Sequence, residues 1–324
     1  MINFKTLTFL NRKITLFCLS SFLLLNGCQR IEPKAYKADP NVVELKILGT
    51  LQDGGMPHLG CQKDCCNEFF EKGYSNKRVV SLGVSDNKEK RNYLIEASPD
   101  ISVQLNNLVN DKSKALEGIF ITHAHIGHYS GLVNLGREVA HTSKIPLYLM
   151  PKMTDFILSN GPWDQLIELK NIELKKIFNE KEEQLTENLK ITPLQVPHRD
   201  EYSETVGFKI IGPDKAALFI PDIDKWDKWD KSIKELIKQV DYAFIDGTFY
   251  DANEINNRDI SEIPHPFIIE SFDLFNDLNA VDKKKIYFIH LNHTNPAINK
   301  ESDAYKAIKS KGYNVAELGS VFAL

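Results

Sequence analysis

Short apolar runs, each closed by a polar or turn residue, recur along the whole chain. Residues 42–50, 78–85 and 92–97 have the alternation and β-branched content of strands, with a polar turn at 86–90. Residues 118–121 are continuously apolar, as in a strand buried on both faces. The same reading predicts strands at 146–150, 172–177, 191–196, 206–211, 216–220, 242–245, 286–290 and 313–317. Helices are expected at 98–109, 131–140, 154–159, 163–169, 226–239, 267–278 and 302–310. Ser98 and Pro99 suit the N-cap and first helical position of the first of these. Interleaved strands and helices require helices to cover sheet faces. Periodicity allows either two sheets between helix layers or one mixed sheet.

Polar residues of one kind close several of the apolar runs. After 118–121 come His123, His125 and His128, three histidines within six residues. His198 follows the strand at 191–196, Asp222 the strand at 216–220, and Asp246 and His290 end two more. Loops at one end of a sheet bring such residues together although they are far apart in sequence. Neutral imidazole is the commonest metal ligand in proteins, and three unpaired histidines after a buried strand would be costly to bury otherwise. The histidines therefore point to a metal centre. Asp246 is placed either to orient a ligand histidine or to cap a turn.

The 324 residues are 42% hydrophobic and 26% charged, with a formal net charge of −4. That suits one large or two small globular domains, and no basic patch suggests nucleic acid. Lys5, Arg12 and Lys13 precede an apolar stretch at 14–25 that is short for a membrane span. The Leu25-Asn26-Gly27-Cys28 string that follows looks like a bacterial lipobox. Residues 1–27 are thus expected to be a lipoprotein signal peptide. Cys28 is expected to be the lipidated residue and 28–41 a tether, with 42–324 forming one folded domain. The protein would then be membrane-anchored in the bacterial cell envelope, outside the cytoplasm. Cys61, Cys65 and Cys66 lie within six residues, and adjacent cysteines rarely pair with each other, so a thiolate zinc site is the expected use.

The His123-Ala124-His125-Ile126-Gly127-His128 string resembles the H-x-H-x-D-H signature of the metallo-β-lactamase superfamily, with Gly127 where that family has Asp. The string His198-Arg199-Asp200-Glu201-Tyr202-Ser203-Glu204-Thr205-Val206-Gly207 is more specific. It is similar to a stretch of the pyrroloquinoline quinone biosynthesis protein B family. Ser98-Pro99-Asp100-Ile101, Asp246-Gly247-Thr248-Phe249 and His290-Leu291-Asn292-His293-Thr294-Asn295-Pro296 look like motifs of the same family.

The resemblance implies an α/β fold, the αββα sandwich. It also implies that His123, His125 and His198 ligate a first metal and that Asp222 is the bridging carboxylate. His128 and His290 would be the remnant of a second site that lacks its carboxylate. The expected cofactor is zinc, one or two ions, with Fe(II) as the alternative that His128, His290 and Asp222 would suit. Asp222 would also hold the attacking water. His293 is a candidate proton donor. His265, or else His58, would complete the cysteine site. The expected activity is that of a metal-dependent hydrolase, with metal-bound hydroxide attacking an ester, amide or phosphodiester of a small-molecule or peptide substrate. The alternatives are an Fe(II) oxygenase and a catalytically decayed, metal-stabilised binding protein. If the carboxylate missing at residue 127 is the only defect of the second site, Gly127→Asp is expected to raise the metal count on elemental analysis.

Overall fold

Fourteen strands among the described residues form two seven-stranded sheets in a computed structural model of the chain. The described residues are 42–324 except 73–76, 110–113, 200 and 256–259. The expected signal segment, Cys28 and the tether lie outside them.

The first sheet holds β1 (Val43–Gly49), β2 (Ser81–Asp86), β3 (Arg91–Ile95), β4 (Ala115–Phe120), β5 (Ile145–Leu149) and β6 (Ile172–Lys176). The second holds β7 (Glu183–Gln184), β8 (Lys190–Gln195), β9 (Val206–Ile211), β10 (Ala216–Ile220), β11 (Tyr242–Asp246), β12 (Ile286–Ile289) and β13 (Asn314–Val315). The last strand, β14 (Val321–Ala323), returns to pair antiparallel with β1.

The central strands are apolar at nearly every position because both of their faces are covered. In β4, Phe120 points between the sheets, where it joins Val84, Phe208, Phe219 and Phe244. Its neighbours Ile119 and Ile121 point the other way, toward α2 (Ile101–Leu108), α4 (Pro151–Ser159) and α5 (Trp163–Glu168). In β10 and β11, Phe219 and Phe244 face inward. Leu218, Ile220, Ala243 and Ile245 face α6 (Ile233–Lys238), α7 (Ile268–Leu274) and α9 (Asp303–Ser310). The period of two along each strand thus splits every run between an inter-sheet core and an outer helix layer. The result is the expected αββα sandwich.

Strand direction places the site. β3 to β6 run parallel to one another, and two antiparallel steps through β2 leave β1 pointing the same way. β10 to β13 are parallel, and β8 matches them through β9. The strands that end near candidate ligands therefore all deliver them to the C-terminal edge of their sheet. Beyond the ends of β1 and β12 the two sheets are tied together: Gln52 N–H donates to Leu291 O (2.9 Å) and Leu291 N–H to Thr50 O (2.8 Å).

Several helices are shorter than expected. α2 begins at Ile101 because Ser98 Oγ accepts the Asp100 N–H at 3.1 Å and donates to Gln104, which makes Asp100 the N-cap. The helix expected at 131–140 is a short turn, α3 (Ile126–Tyr129), followed by a 3₁₀ segment at Ser130–Leu135. The segment 226–239 divides into a 3₁₀ turn at Trp226–Lys228 and α6, which Ser232 caps. Two unexpected helices are α1 (Asp64–Lys72), inside the cysteine loop, and α8 (Ala280–Lys284).

Phe120 is fully buried, stacks on Tyr148 at 4.3 Å between ring centroids and meets Phe208 edge-on at 5.7 Å. Phe120→Ala is expected to cost about 3–5 kcal/mol, read by urea unfolding. A loss below about 1 kcal/mol would contradict the packing described.

Candidate metal centre

Asp222, at the end of β10, is almost fully buried and is surrounded by imidazoles. Its Oδ1 lies 3.2 Å from His198 Nε2 and 3.2 Å from His265 Nδ1. Its Oδ2 lies 3.3 Å from His123 Nε2, 3.8 Å from His125 Nδ1, 3.9 Å from His128 Nε2 and 4.0 Å from His290 Nε2. Two overlapping sets share this carboxylate. One is His123, His125, His198 and Asp222; the other is Asp53, His128, Asp222 and His290. Within the second set, Asp53 Oδ1 is 2.9 Å from His128 Nε2 and 3.3 Å from His290 Nε2.

The donor atoms fit divalent cations. His123 Nε2, His128 Nε2, both nitrogens of His198 and Asp222 Oδ1 are buried without a well-formed hydrogen bond. Such orphans are costly unless something else satisfies them. Ligand bonds of about 2.0–2.1 Å in a tetrahedron put neighbouring donor atoms about 3.3 Å apart. The spacings of His123 and His198 from Asp222 match that edge.

Groups behind the donors fix their orientation. Thr248 Oγ1 donates to Asp246 Oδ1 at 2.7 Å, so it accepts from His290 Nδ1–H at 2.8 Å and leaves His290 Nε2 free to ligate. His128 Nδ1 faces the fully buried Glu96 carboxylate at 3.2 Å. His123 Nδ1 pairs with Thr122 Oγ1 at 2.9 Å, and His125 Nε2 with Glu201 at 3.2 Å. Glu96 and His290 both adopt left-handed backbone conformations, φ 74° and 64°. Such strain costs about 1–3 kcal/mol per residue and gathers at functional sites.

The titrations follow from these neighbours. Burial works against the charged form of Asp222, but the His198 and His265 charges outweigh it and hold the carboxyl well below its usual range. Burial also opposes charge on His265. Asp246, whose Oδ2 is 2.9 Å away, and Asp222 nevertheless push its pKa up to about 9. Asp246 thus touches His265 directly and His290 through Thr248, and it also caps the turn after β11 by accepting the Thr248 N–H at 2.9 Å, so both of the roles expected of it are present.

The cysteines form a separate site. Sγ atoms of Cys61 and Cys65, and of Cys65 and Cys66, are 3.9 Å apart, close to the tetrahedral edge of about 3.8 Å for zinc–thiolate bonds of 2.3 Å. The expectation that His265 completes this set is not met, because its ring is committed to Asp246 and Asp222. His58 is not the fourth ligand either. Its N–H donates to Cys66 Sγ at 3.3 Å, and its ring stacks at 4.2 Å on His293. His293 supplies the nitrogen that joins the three sulfurs. Burial, His58 and Lys63 lower its pKa to about 4, which leaves the ring neutral at neutral pH, with a lone pair suited to a cation beside the sulfurs and no proton to give in the role expected of it. Burial and the neighbouring Cys66 and Cys61 push Cys65 up to about 12, an opposition a bound cation would reverse.

Two residues of the centre are absent from the sequence expectations. Asp53 reads as part of an Asp-Gly-Gly turn, although it follows β1 as the other ligands follow their strands. Glu96 lies within a strand-like run, and its left-handed backbone leaves no local signature.

An αββα sandwich with histidines and aspartates converging at one strand edge defines a metal-binding protein of the metallo-β-lactamase fold. Residues 91–291 match the β-lactamase superfamily domain, and the chain belongs to that superfamily. Within it the chain is PqqB-like. It is 24% identical over 312 residues to the coenzyme PQQ synthesis protein B of Acinetobacter baumannii (strain ACICU), covering 85% of this chain and 97% of that one. The crystal structure of Zn(2+)-bound PqqB from Methylobacterium extorquens has the same fold, with a TM-score of 0.71 at 21% identity, covering 87% of this chain and all of that one. A diphosphatase from the PhnP family also shares it, with a TM-score of 0.61 at 19% identity, covering 87% of this chain and 97% of that one.

His293→Ala is expected to remove the cation of the thiolate site, and His265→Ala to leave it in place. Cobalt substitution reads this directly, through the thiolate-to-cobalt charge-transfer band. A band that survives His293→Ala and vanishes in His265→Ala would restore the original assignment.

Proposed function

We propose that the chain is a metal-dependent hydrolase whose preferred substrates are phosphodiesters of small molecules. One observation carries this reading: a single buried carboxylate, Asp222, stands between two sets of ligands, an arrangement that holds two cations side by side. Such a pair, when bound, supplies Lewis acidity to the phosphoryl oxygens and a water made nucleophilic at neutral pH. Zinc is the first candidate, because the donors are nitrogen and oxygen at tetrahedral spacing. The fold is shared with a PhnP-family diphosphatase, which supports phosphoryl chemistry in general, and the choice of phosphodiesters is our own.

The chain's own residues supply the rest. Asp222 keeps its charge inside the protein and so would be a ligand to both cations. His265 is partly open at the edge of the centre and is braced by Asp246, so it is the group able to give a proton to the departing oxygen. Arg199 and Tyr202, both exposed on the loop after His198, offer a cation and an aromatic face to an anionic substrate. Tyr202 rests on Phe156 with ring centroids 5.4 Å apart, which fixes that face.

The name of the Acinetobacter relative, coenzyme PQQ synthesis protein B, supports a second reading, a part in cofactor synthesis, for which the chemistry expected from the sequence is that of an Fe(II) oxygenase. Asp53 makes the second set two histidines and two carboxylates, not the two-histidine, one-carboxylate triad of such enzymes. We also propose, from the string at 25–28, that the protein is a lipoprotein of the bacterial envelope. Cys28→Ser should abolish incorporation of labelled palmitate.

Zinc-loaded protein is expected to hydrolyse bis(p-nitrophenyl) phosphate. His198→Ala should lose both a cation and the activity, and His265→Ala should lower kcat about 10²–10⁴-fold with its metal content unchanged. Oxygen uptake by the Fe(II) form, with no hydrolysis across phosphodiester, ester and lactam panels, would replace this reading with the oxygenase. Inertness in both assays would leave the metal-stabilised binding protein.

A further inference from the structure

Gly127 stands where the H-x-H-x-D-H signature has a carboxylate. Its φ is not in the left-handed region, so its backbone does not need glycine. Its surroundings do. A Cβ on Gly127 would lie 2.4 Å from Asp53 Cα, 2.7 Å from Asp53 Cβ and 2.8 Å from Asp53 Oδ1. The space a side chain at 127 would occupy is filled by Asp53, backbone and carboxylate together. That carboxylate lies beside His128 and His290, the two imidazoles the second cation needs.

We infer that Asp53, from the loop after β1, is the carboxylate ligand of the second cation. It replaces the one lost at residue 127, and Gly127 is glycine in order to admit it. The second site is therefore complete and not a remnant. The inference deepens the two-cation reading above and rests on it.

The surroundings of Asp53 agree with this role. Its Oδ1 lies 2.9 Å from His128 Nε2 and 3.3 Å from His290 Nε2. The loop that carries it is fixed by the Gln52–Leu291 and Leu291–Thr50 hydrogen bonds, one residue from His290. Asp53 and His290 are thus positioned by the same short ladder between the sheets. A side chain at residue 127 could not join this arrangement, because the nearest atom it meets is backbone and cannot swing aside. Gly127→Asp is accordingly a loss, in place of the gain expected from the sequence alone.

The test is a cation count on full-length protein loaded with zinc, with cobalt substitution to follow the thiolate site separately. Wild type is expected to hold two cations at the histidine centre and one at the cysteines. Asp53→Ala should hold one fewer, with the thiolate-to-cobalt band and the circular dichroism unchanged. Asp53→Asn, which keeps the shape of the side chain, should show the same loss and serves if the alanine variant does not fold. Gly127→Ala removes no ligand atom, yet it should also cost one cation, because the added methyl group displaces Asp53. A full complement in either Asp53 variant, or in Gly127→Ala, overturns the inference while the first site stands. A histidine centre that takes up no cation in wild type overturns the two-cation reading itself.

Discussion

Asp222 is the constraint on which the rest of the centre depends. One almost fully buried carboxylate has six imidazoles within 4.0 Å. They cannot all be protonated there, since like charges at that spacing repel strongly in a medium of low polarity. Left neutral, they aim several lone pairs at one another. The titrations show the conflict. Burial, and then the charge of His128, holds His123 well below the usual histidine range. Burial opposes charge on His128 as well, but Glu96 and Asp53 raise it well above that range. Cations bound to the two ligand sets would relieve both, because each would take up the inward lone pairs of its own set. The surrounding residues are then understandable as whatever keeps each ring turned the right way: Thr122 behind His123, Glu201 beyond His125, Glu96 behind His128 and Thr248 behind His290.

The sandwich delivers such a cluster because its two sheets are built alike. In each, the ligand-bearing strands run in one direction, so residues just past their ends meet at one edge. The inter-sheet core of Phe120, Phe208, Phe219 and Phe244 lies directly behind that edge. Phe120 and Phe219 are each three residues from His123 and Asp222, respectively. Close packing of those rings fixes the heights of the two strands, and so the distance between first-site ligands drawn from different sheets. Metal binding and core packing are one problem here, since a shift of the sheets would separate His123 from His198.

Much of this was legible in the sequence, and the failures have physical reasons. His123, His125, His128, His198, Asp222 and His290 could be found because each ends a strongly apolar run, and a buried strand leaves a long signature. The αββα arrangement needed the family resemblance, since alternation along a strand does not tell one sheet from two. Asp53 escaped because an aspartate before two glycines also reads as a turn, and because the signature position it is proposed to replace is elsewhere in the chain. The exchange of His265 for His293 has a different origin. Spacing alone cannot tell which histidine reaches the cysteines, because the 61–66 loop returns to the end of β12 only through tertiary contacts. The helix expected at 131–140 failed at its start, where His128, Tyr129 and Gly131 turn the chain back against Ala97 through the hydrogen bonds from Ala97 N–H to His128 O and from Gly131 N–H to Ala97 O.

The histidine centre and the cysteine cluster draw on the same pair of chain segments. The loop after β1 carries Asp53 to the histidine centre and Cys61, Cys65 and Cys66 to the thiolate site. The chain leaving β12 carries His290 to the first and His293 to the second. Ligands on loops are harder to hold in place than ligands on strands, because a loop lacks the ladder of hydrogen bonds that fixes a strand. Asp53, the proposed ligand, lies on such a loop, and two glycines follow it. The thiolate site compensates by fastening the far end of the same loop to His293, three residues beyond His290. His58 fills the gap between, stacked on His293 and folded so closely over Gly54 that a Cβ there would lie 2.4 Å from its ring. A cation bound by the cysteines therefore shortens the free length of the loop that presents Asp53. On the proposed reading, the carboxylate absent from the turn at residue 127 is recovered from a loop because that loop is pinned at both ends.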